Sequence, residues 1–366
     1  MLEIGCGDGG NLSAAAVYLP SAAFVGFDLA GGAIEQGKRD APPNVRLFQG
    51  DICTVSELGS FDYVIAHGLY SWVPEPVKAA LLALMHASLA PNGIGFLSLN
   101  ALPGWKYRET LRDLALDRGR MLTTPAERVK TALSLVDEIA RGGKDAPGYL
   151  GLLAKHAESY AKHVREATPP DSPFAYYVFH DLLADTNDPY SLTEIESRLS
   201  AANLRIICET PLRTKSLVDL DARMSETELP FLQLLVRRDD SSSTEIQPSS
   251  AGELFLWCDF VPAGPGAYRT STGALVRPPP DSGLAKAAAH APGFVRVREL
   301  DPDPRFAEQV FAGFLDGVFL LRSEAPTVPE SLVVKPKRGV LTNAVHRSFR
   351  LNEPSTEMLR RLVFVR

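Results

Sequence analysis

Several features that would point to particular classes of protein are absent from this 366-residue sequence. Its four cysteines form no C-x-x-C pair and have no histidine nearby at metal-ligand spacing, so they predict free thiols rather than disulfides or a metal site; they are Cys6, Cys53, Cys208 and Cys258. No run approaches the roughly twenty apolar residues of a membrane span, and the N-terminus lacks the basic region of a secretory signal. We therefore expect a cytoplasmic protein that has no membrane partner.

The charge balance excludes a further class of partner. The formal net charge is −6, which leaves no basic excess for contacts with nucleic-acid phosphates. Nucleic acid is therefore not an expected substrate. The length exceeds what one hydrophobic core usually supports, so we expect two or three domains.

What the sequence does contain begins at its first residues, MLEIGCGDGGN. An acidic residue, Glu3, is followed by glycines at alternate positions, Gly5, Gly7 and Gly9, directly after a short apolar run. Glycine lacks a Cβ atom, so the backbone can turn tightly and let a ligand approach, and the helix predicted at 11–19 offers unpaired N–H groups. Asp28 ends the next strand, where a carboxylate can accept hydrogen bonds from a ribose diol. The pattern predicts a nucleotide-binding turn, although a plain turn or a helix cap uses the same residues.

The spacing E-x-G-x-G-x-G differs from the dinucleotide pattern G-x-G-x-x-G and resembles that of the class I S-adenosylmethionine (SAM)-dependent methyltransferases. The resemblance implies that Glu3 and the glycines cradle the methionine part of SAM, that Asp28 holds the ribose and that Asp51 meets the adenine amino group. For Asp51, the alternative is a carboxylate that caps the next turn. The predicted cofactor-binding residues are Glu3, Gly5, Cys6, Gly7, Gly9, Asp28, Leu29, Asp51 and Ile52.

The fourth predicted strand, at 61–66, leads into a loop that is rich in polar aromatic residues. Because binding sites in open sheets lie at the carboxyl ends of strands, His67, Tyr70 and Trp72 are predicted to face a site. We predict His67 and Tyr70 as catalytic groups that take a proton from the acceptor. A hydrogen-bonded scaffold role is the alternative for each of them.

This region makes the resemblance more specific. The segments AHGLYSWVP and APNGIGFLSLNALPGW look like those of methyltransferases that carry a regulatory domain, a group that includes bacterial protein-lysine methyltransferases. The resemblance implies methyl transfer from SAM to an acceptor amine, with a protein lysine side chain as the expected acceptor. A small-molecule O- or N-methyltransferase is one alternative, and a non-catalytic SAM-binding or scaffold protein is another.

The pattern predicts an α/β fold: a Rossmann-like methyltransferase sheet with a helical insertion and a winged-helix-like C-terminal domain. Strands are expected at 1–4, 23–27, 45–49, 61–66, 93–99, 204–208 and 231–236, the last two being the sixth and seventh of one sheet. The predicted domains are the SAM-binding core at 1–105, the insertion at 106–190, the end of the core at 191–238, a linker at 239–250 and the C-terminal domain at 251–366.

The predicted insertion has helical periodicity, and we expect it to form a lid over the acceptor, with a packing accessory as the alternative. Its motif YYVFHDLL, at 176–183, resembles a family motif and contains His180, which faces either the site or a helix surface. Ser191 and Glu194 form a predicted capping box at the helix that follows. For the C-terminal domain we expect an interaction with protein, because it lacks a basic recognition helix.

Compared with the family that it resembles, the chain begins inside the first strand and ends where a closing helix should continue. The resemblance therefore predicts truncation at both ends. The expected partner is a protein or small-molecule methyl acceptor, and assembly into a homo-oligomer is left open.

Overall fold

A computed structural model describes residues 1–167, 178–210, 217–227, 229–240, 248–258, 260–270, 273–291, 293–322, 334–335, 340–342 and 348–350. These residues belong to two compact units. The first contains the described residues of Met1–Asp51, Thr210–Thr214 and the C-terminal part from Asp240, and the second contains those of Ile52–Glu209 and Lys215–Asp239. Within the described residues, no helix combines the length and apolar character needed to cross a membrane.

The first unit begins with strands and helices that alternate along the chain. They are β1 (Leu2–Ile4), α1 (Gly10–Tyr18), β2 (Phe24–Asp28), α2 (Gly31–Lys38) and β3 (Val45–Gln49). The strand β2 pairs in parallel with both β1 and β3. β1 is buried throughout, as expected for a strand covered on both faces. Parallel pairing brings the carboxyl ends of the three strands to one edge, where a ligand site is expected.

The second unit contains β4 (Phe61–Ala66), α3 (Glu75–Ser88), β5 (Leu89–Asn100), α7 (Leu192–Ala201), β6 (Leu204–Glu209), α8 (Leu217–Thr227) and β7 (Phe231–Arg238). β4 and β5 are parallel, whereas β7 is antiparallel to both β5 and β6. The sheet has seven strands in the order β3-β2-β1-β4-β5-β7-β6. This confirms the Rossmann-like fold class and the assignment of the last two strands to the same sheet.

Three long helices lie between β5 and β6: α4 (Lys106–Gly119), α5 (Pro125–Gly142) and α6 (Gly148–Ala167). Thr124 caps α5, because its side chain accepts a hydrogen bond from the Glu127 N–H, and Pro125 occupies the first helical position. A π-helical turn at Phe179–Leu183 packs with these helices. Together they bury a hydrophobic core of their own, which includes Leu111, Ala132, Val136, Leu153, Tyr160 and Leu182. The helical periodicity of this region is thus confirmed.

One lysine on α3 is almost completely buried. Lys78 is 1% exposed and forms an ion pair with Asp188, and its ammonium also lies 5.5 Å from the ring centre of Tyr190. Burial disfavours its charge, but hydrogen bonds to Asp188 and Tyr190 outweigh that effect and raise its pKa. Lys78 therefore attaches the segment before α7 to the body of the second unit as a charged group.

The C-terminal part of the chain contains short strands and helices. They are β8 (Phe255–Cys258), β9 (Val261–Gly264), β10 (Ala267–Arg269), β11 (Leu275–Val276), α9 (Gly283–Ala289), β12 (Gly293–Arg296), α10 (Val297–Leu300), α11 (Pro304–Leu315), β13 (Leu321–Arg322), β14 (Val334–Lys335), β15 (Val340–Thr342) and β16 (Ser348–Arg350). β8 is the central strand between β12 and β13, and a core that includes Leu256, Leu300, Phe306 and Val310 is buried beside it. The winged-helix-like character of this region and the predicted domain boundaries stay predictions.

A few elements differ from the sequence-based expectation. β5 begins at Leu89 rather than at 93, so the residues APNG belong to the strand, where its register with β4 is irregular. The connection between β6 and β7, expected to be a polar stretch, contains α8, which buries Leu220 and Met224. Residues 176 and 177 of the motif YYVFHDLL lie outside the described residues.

Candidate functional site

The first candidate site is the turn after β1. Gly5, Gly7 and Gly9 have φ angles of 71°, 56° and 68°, in the left-handed region that glycine tolerates. The turn is held against the end of β2, because the N–H groups of Gly5 and Cys6 both donate to the carbonyl oxygen of Phe27, at 2.9 and 3.0 Å. A Cβ atom at Gly7 would meet nothing within 4 Å, so this side of the turn is open to a ligand.

Asp28 lies beside that turn at the end of β2. Its Oδ2 accepts a hydrogen bond from the Gly7 N–H at 2.8 Å, and its Oδ1 accepts one from the Ala30 N–H at 2.8 Å. These contacts fix the carboxylate while each oxygen keeps a further lone pair. Leu29, the next residue, is 68% exposed and offers apolar surface at the same strand end.

The segment that follows β3 begins next to Asp28. The Gly50 N–H donates a hydrogen bond to the Asp28 carbonyl oxygen at 3.0 Å. Asp51 and Ile52 follow directly, with Asp51 exposed and Ile52 half-buried. The structure therefore brings the start of this predicted segment to the strand end that carries Asp28. The contacts of Asp51 and Ile52 with a cofactor stay a prediction.

Glu3 is the buried acid of this turn. Its side chain is 5% exposed, and its Oε1 accepts a hydrogen bond from the Asn11 amide at 3.0 Å. Its Oε2 is buried, and no described group forms a hydrogen bond with it. Burial raises the pKa of Glu3 to about 7, although the hydrogen bond from Asn11 acts in the opposite direction. An orphaned carboxylate oxygen of this kind suits a ligand that carries a cationic group.

The second candidate site is a cavity of about 630 Å³ in the second unit. It lies where β4, β5 and β7 meet the helices that follow β5. The residues that line it are His67, Gly68, Trp72, Asn100, Trp105, Arg108, His163, His180, Asp181, Pro230, Phe231 and Gln233. A volume of this order is typical of a small-molecule or side-chain binding site.

His67 enters this cavity from the end of β4 and is held by Ser98 of β5. The Ser98 hydroxyl accepts a hydrogen bond from the Gly68 N–H at 2.7 Å and lies 2.9 Å from His67 Nδ1. Because Ser98 is fully buried, its own proton needs an acceptor, and His67 Nδ1 is the acceptor in reach. This assigns the proton of the neutral imidazole to Nε2. Burial also lowers the pKa of His67, which keeps the ring uncharged at neutral pH.

Aromatic rings form another wall of the cavity. Trp72 lies 4.0 Å from the ring centre of His180 and 6.0 Å from that of Trp105, which it meets at 81°. The Arg108 guanidinium lies over Trp105 at 4.7 Å and pairs with Asp181 at 3.3 Å. Burial raises the pKa of Asp181 to about 6, although the charge of Arg108 lowers it. The wall thus combines indole rings with an ion pair whose Asp181 side is buried.

Tyr70 is not among the described residues that line the cavity. It is fully buried, its ring lies 5.4 Å from that of Tyr190, and burial raises the pKa of its hydroxyl to about 12. A phenol with that pKa stays protonated at neutral pH, so it is not available to take a proton from an amine. The catalytic role of Tyr70 stays a prediction, and these contacts favour the scaffold alternative.

Nine of the twelve residues that line the cavity were not predicted from the sequence, among them Asn100, Trp105, Arg108, His163 and Asp181. Asn100 ends β5, so the rule that selected His67 at the end of β4 would also have found it. Trp105 is the last residue of the segment APNGIGFLSLNALPGW, and Asp181 follows His180 in the motif YYVFHDLL. Arg108 and His163 enter from α4 and α6, and no signal in the sequence indicates which face of those helices meets the cavity.

Comparison with known proteins gives a consistent result. A family model described as a methyltransferase domain matches residues 1–93. The chain is 35% identical to the uncharacterized protein RP028 of Rickettsia prowazekii over 193 residues, which cover 51% of this chain and 73% of that protein. It is 28% identical to RP789 of the same organism over 245 residues, which cover 65% of this chain but only 42% of RP789.

The fold is similar to that of PKMT2 from Rickettsia typhi. The TM-score is 0.78 at 18% identity, and the match covers 98% of this chain and 81% of PKMT2. For PKMT2 in complex with AdoHcy, the TM-score is 0.76 at 20% identity, and the match covers 99% of this chain and 82% of the other. At these identities the likeness establishes the fold.

Proposed function

We propose that this chain, which belongs to the class I SAM-dependent methyltransferases, transfers a methyl group from SAM to a lysine side chain of a protein. SAM is the cofactor of the family. The cavity of the second unit is the main support for a protein lysine as the acceptor. The likeness in fold to PKMT2, a protein lysine methyltransferase, supports it.

The turn after β1 fits SAM in three respects. The orphaned Oε2 of Glu3 suits the ammonium group that the methionine part of SAM carries. The open side of Gly7 permits close approach to the backbone. Asp28, fixed by two N–H groups, keeps lone pairs for a ribose diol. SAM supplies a methyl group bound to a positively charged sulfur, and an uncharged amine is the nucleophile that this chemistry requires.

The cavity supports an amine acceptor through the character of its walls. The indole rings of Trp72 and Trp105 line the cavity, and aromatic rings can pack against an alkylamine and attract its methylated, cationic product. The polar groups beside them, Asn100 and Gln233, are uncharged. α4 and α6 contribute Arg108 and His163 to the lining, which supports a role of the helical region in selecting the acceptor.

The same walls favour the reactive form of a lysine. Its ordinary pKa is about 10.4, so it must lose a proton before it can attack. Burial in the cavity disfavours the ammonium form. Arg108 and Asp181 pair with each other, so their opposite charges largely offset one another at the acceptor amine. The chain therefore contributes desolvation and positioning, and it needs no covalent step.

Two measurements test the proposal. Calorimetric titration of the full chain with SAM is expected to show binding, and the absence of binding would identify a scaffold instead. The chain is then incubated with methyl-labelled SAM and a mixture of unfolded bacterial proteins, and the labelled residues are identified by mass spectrometry. We expect label on lysine side chains.

The matched control is the same protein mixture with its lysine amines chemically blocked, which should remain unlabelled. A second arm replaces the proteins with the small-molecule fraction of a bacterial lysate. Label that enters this fraction and not the proteins would overturn the lysine proposal in favour of a small-molecule O- or N-methyltransferase.

A further inference from the structure

We propose that the side-chain carbonyl oxygen of Asn100 accepts a hydrogen bond from the acceptor amine in the cavity and directs the amine lone pair during methyl transfer. This inference rests on the proposed function and assigns a catalytic residue to the cavity. It follows from the contacts that fix the Asn100 amide, which leave one oxygen of defined orientation inside a site lined by aromatic rings.

The main chain of Asn100 is fully engaged. Its N–H donates to the Ser71 hydroxyl at 2.9 Å, and its carbonyl oxygen accepts from the Tyr190 N–H at 2.9 Å. The residue is 1% exposed, yet it belongs to the lining of the cavity. Asn100 therefore meets a ligand through its side chain.

Hydrogen bonds through the side-chain amides of Asn187 and Asn100 determine which end of the Asn100 amide is available to a ligand. The Asn187 amide lies 3.0 Å from the carbonyl oxygen of Asp181, and a main-chain carbonyl can only accept, so the amino group of Asn187 faces it. The oxygen of Asn187 then faces Asn100 at 2.9 Å, and only the amino group of Asn100 can donate to it. The remaining polar atom is the Asn100 Oδ1, to which no described residue donates.

Oδ1 is also accessible. Although no described group forms a hydrogen bond with Oδ1, this atom is not fully enclosed, and Asn100 is one of the residues that line the cavity. Ser98, two residues earlier on the same face of β5, holds His67. The carboxyl end of β5 thus supplies one residue that fixes the histidine and one that offers a hydrogen-bond acceptor.

An amide oxygen suits this task better than a carboxylate. It accepts an N–H from a neutral amine, but it lacks the full negative charge that would stabilise the ammonium form and raise its pKa. With one N–H held by Oδ1, the nitrogen lone pair forms the new N–C bond. The S–C bond breaks with its electron pair going to sulfur, and the methylammonium product afterwards releases a proton to water.

The test compares Asn100→Ala and Asn100→Asp with Asn92→Asp. Asn92 lies on the same strand, but it is exposed and does not line the cavity. Asn92→Asp therefore makes the same chemical change outside the site. Each variant is assayed with SAM and a lysine-containing polypeptide that the wild-type chain labels. Melting temperature and SAM affinity are measured in parallel.

We expect Asn100→Ala to lower kcat by about tenfold or more at unchanged SAM affinity, as the loss of one hydrogen bond in the transition state implies. We expect Asn100→Asp to shift the acid limb of the profile of kcat against pH to higher pH, because the new carboxylate stabilises the ammonium form of the bound acceptor. Asn92→Asp should match the wild type in both measurements.

Asn187→Ala provides a fourth variant, which does not alter Asn100 itself. It removes the acceptor that orients the Asn100 amide, and we expect kcat to fall with little change in SAM affinity. Wild-type kcat and an unshifted pH profile in folded Asn100 variants would overturn the inference alone. If the wild-type chain labels no lysine at all, the proposed function fails first, so the two failures are distinguishable.

Discussion

Glu3 is a residue that suits a bound ligand but lowers the stability of the protein without that ligand. Its buried Oε2 has no described partner, and burial raises its pKa from 4.5 to about 7. A carboxyl group whose pKa is higher in the folded state favours folding below about pH 4.5, and that contribution is lost as the pH rises through about 7. Ionised Glu3 therefore destabilises the SAM-free protein at neutral and alkaline pH.

This gives a prediction for Glu3→Gln, which cannot ionise. Without SAM, the variant should be more stable than the wild type at pH 8, by about 1–3 kcal/mol, and nearly equal to it at pH 4.5. Its affinity for SAM should fall, because the partner of the ammonium group has lost its charge. Denaturant unfolding at both pH values and calorimetric titration check the two effects. Equal stability of variant and wild type at pH 8 would contradict the conclusion that ionised Glu3 destabilises the SAM-free protein.

His67 and Tyr70 provide a second prediction at this scale, since only His67 lines the cavity. His67→Ala should lower kcat by about tenfold or more, whereas Tyr70→Phe should leave kcat within about twofold, because the Tyr70 hydroxyl is buried beside Tyr190 and Arg198. Steady-state methylation at a fixed SAM concentration distinguishes them. A loss of kcat in Tyr70→Phe as large as that in His67→Ala, with SAM affinity intact, would restore Tyr70 as a catalytic group.

The two candidate sites differ in how far the sequence predicts them. Glu3, the alternating glycines and Asp28 are close along the chain, and local backbone conformation brings them together, so a motif suffices to find them. The cavity combines strand ends with residues from α4, α6 and the π-helical turn. Which side of a helix faces inward depends on packing between distant segments, and Arg108 and His163 could not be selected from their own neighbourhoods.

At the scale of the element, the helix α7 is a region where sequence and structure agree closely. Ser191 and Glu194 form the expected capping box: the Ser191 hydroxyl accepts from the Glu194 N–H, and the Glu194 carboxylate accepts from the Ser191 N–H. The motif is local and the contacts need no distant partner. By contrast, α8 has only three buried or half-buried apolar positions within a polar segment, and packing rather than pattern identifies it.

The capping box predicts that Ser191→Ala lowers the stability of the second unit by about 1 kcal/mol. Thr193→Ala is the matched control, since Thr193 is exposed in the first turn of the same helix and should change stability by less than about 0.5 kcal/mol. Urea unfolding, followed by circular dichroism, measures both. An equal effect of the two substitutions would indicate that the cap contributes nothing beyond helix propensity.

At the scale of the whole molecule, the four cysteines differ sharply in their surroundings. Cys53 is exposed, whereas Cys6 and Cys258 are buried and Cys208 is half-buried. Burial raises the pKa of the Cys6 thiol to about 12 and that of Cys208 to about 11, and thiolates are the reactive form. The native chain should thus contain one thiol, Cys53, that reacts quickly with a disulfide reagent at pH 8.

The expected count rises to four in denaturant, as measured from the absorbance of the released chromophore. Cys53→Ser should remove the fast phase and leave the denatured count one lower. A fast phase that persists in this variant would show that a second thiol is accessible in the native protein, contrary to the burial of Cys6 and Cys258.

The burial of Lys78 has a consequence if the enzyme methylates lysines, because the lysines of the enzyme itself are then potential acceptors. Lys106 and Lys162 have side chains that are 68% and 74% exposed, while Lys78 is shielded and held as a cation by Asp188. A map of self-modification should therefore contain surface lysines and omit position 78. A methyl label at Lys78 would require that the surrounding structure had unfolded. The fraction of labelled Lys78 therefore measures how much of a protein preparation has been unfolded.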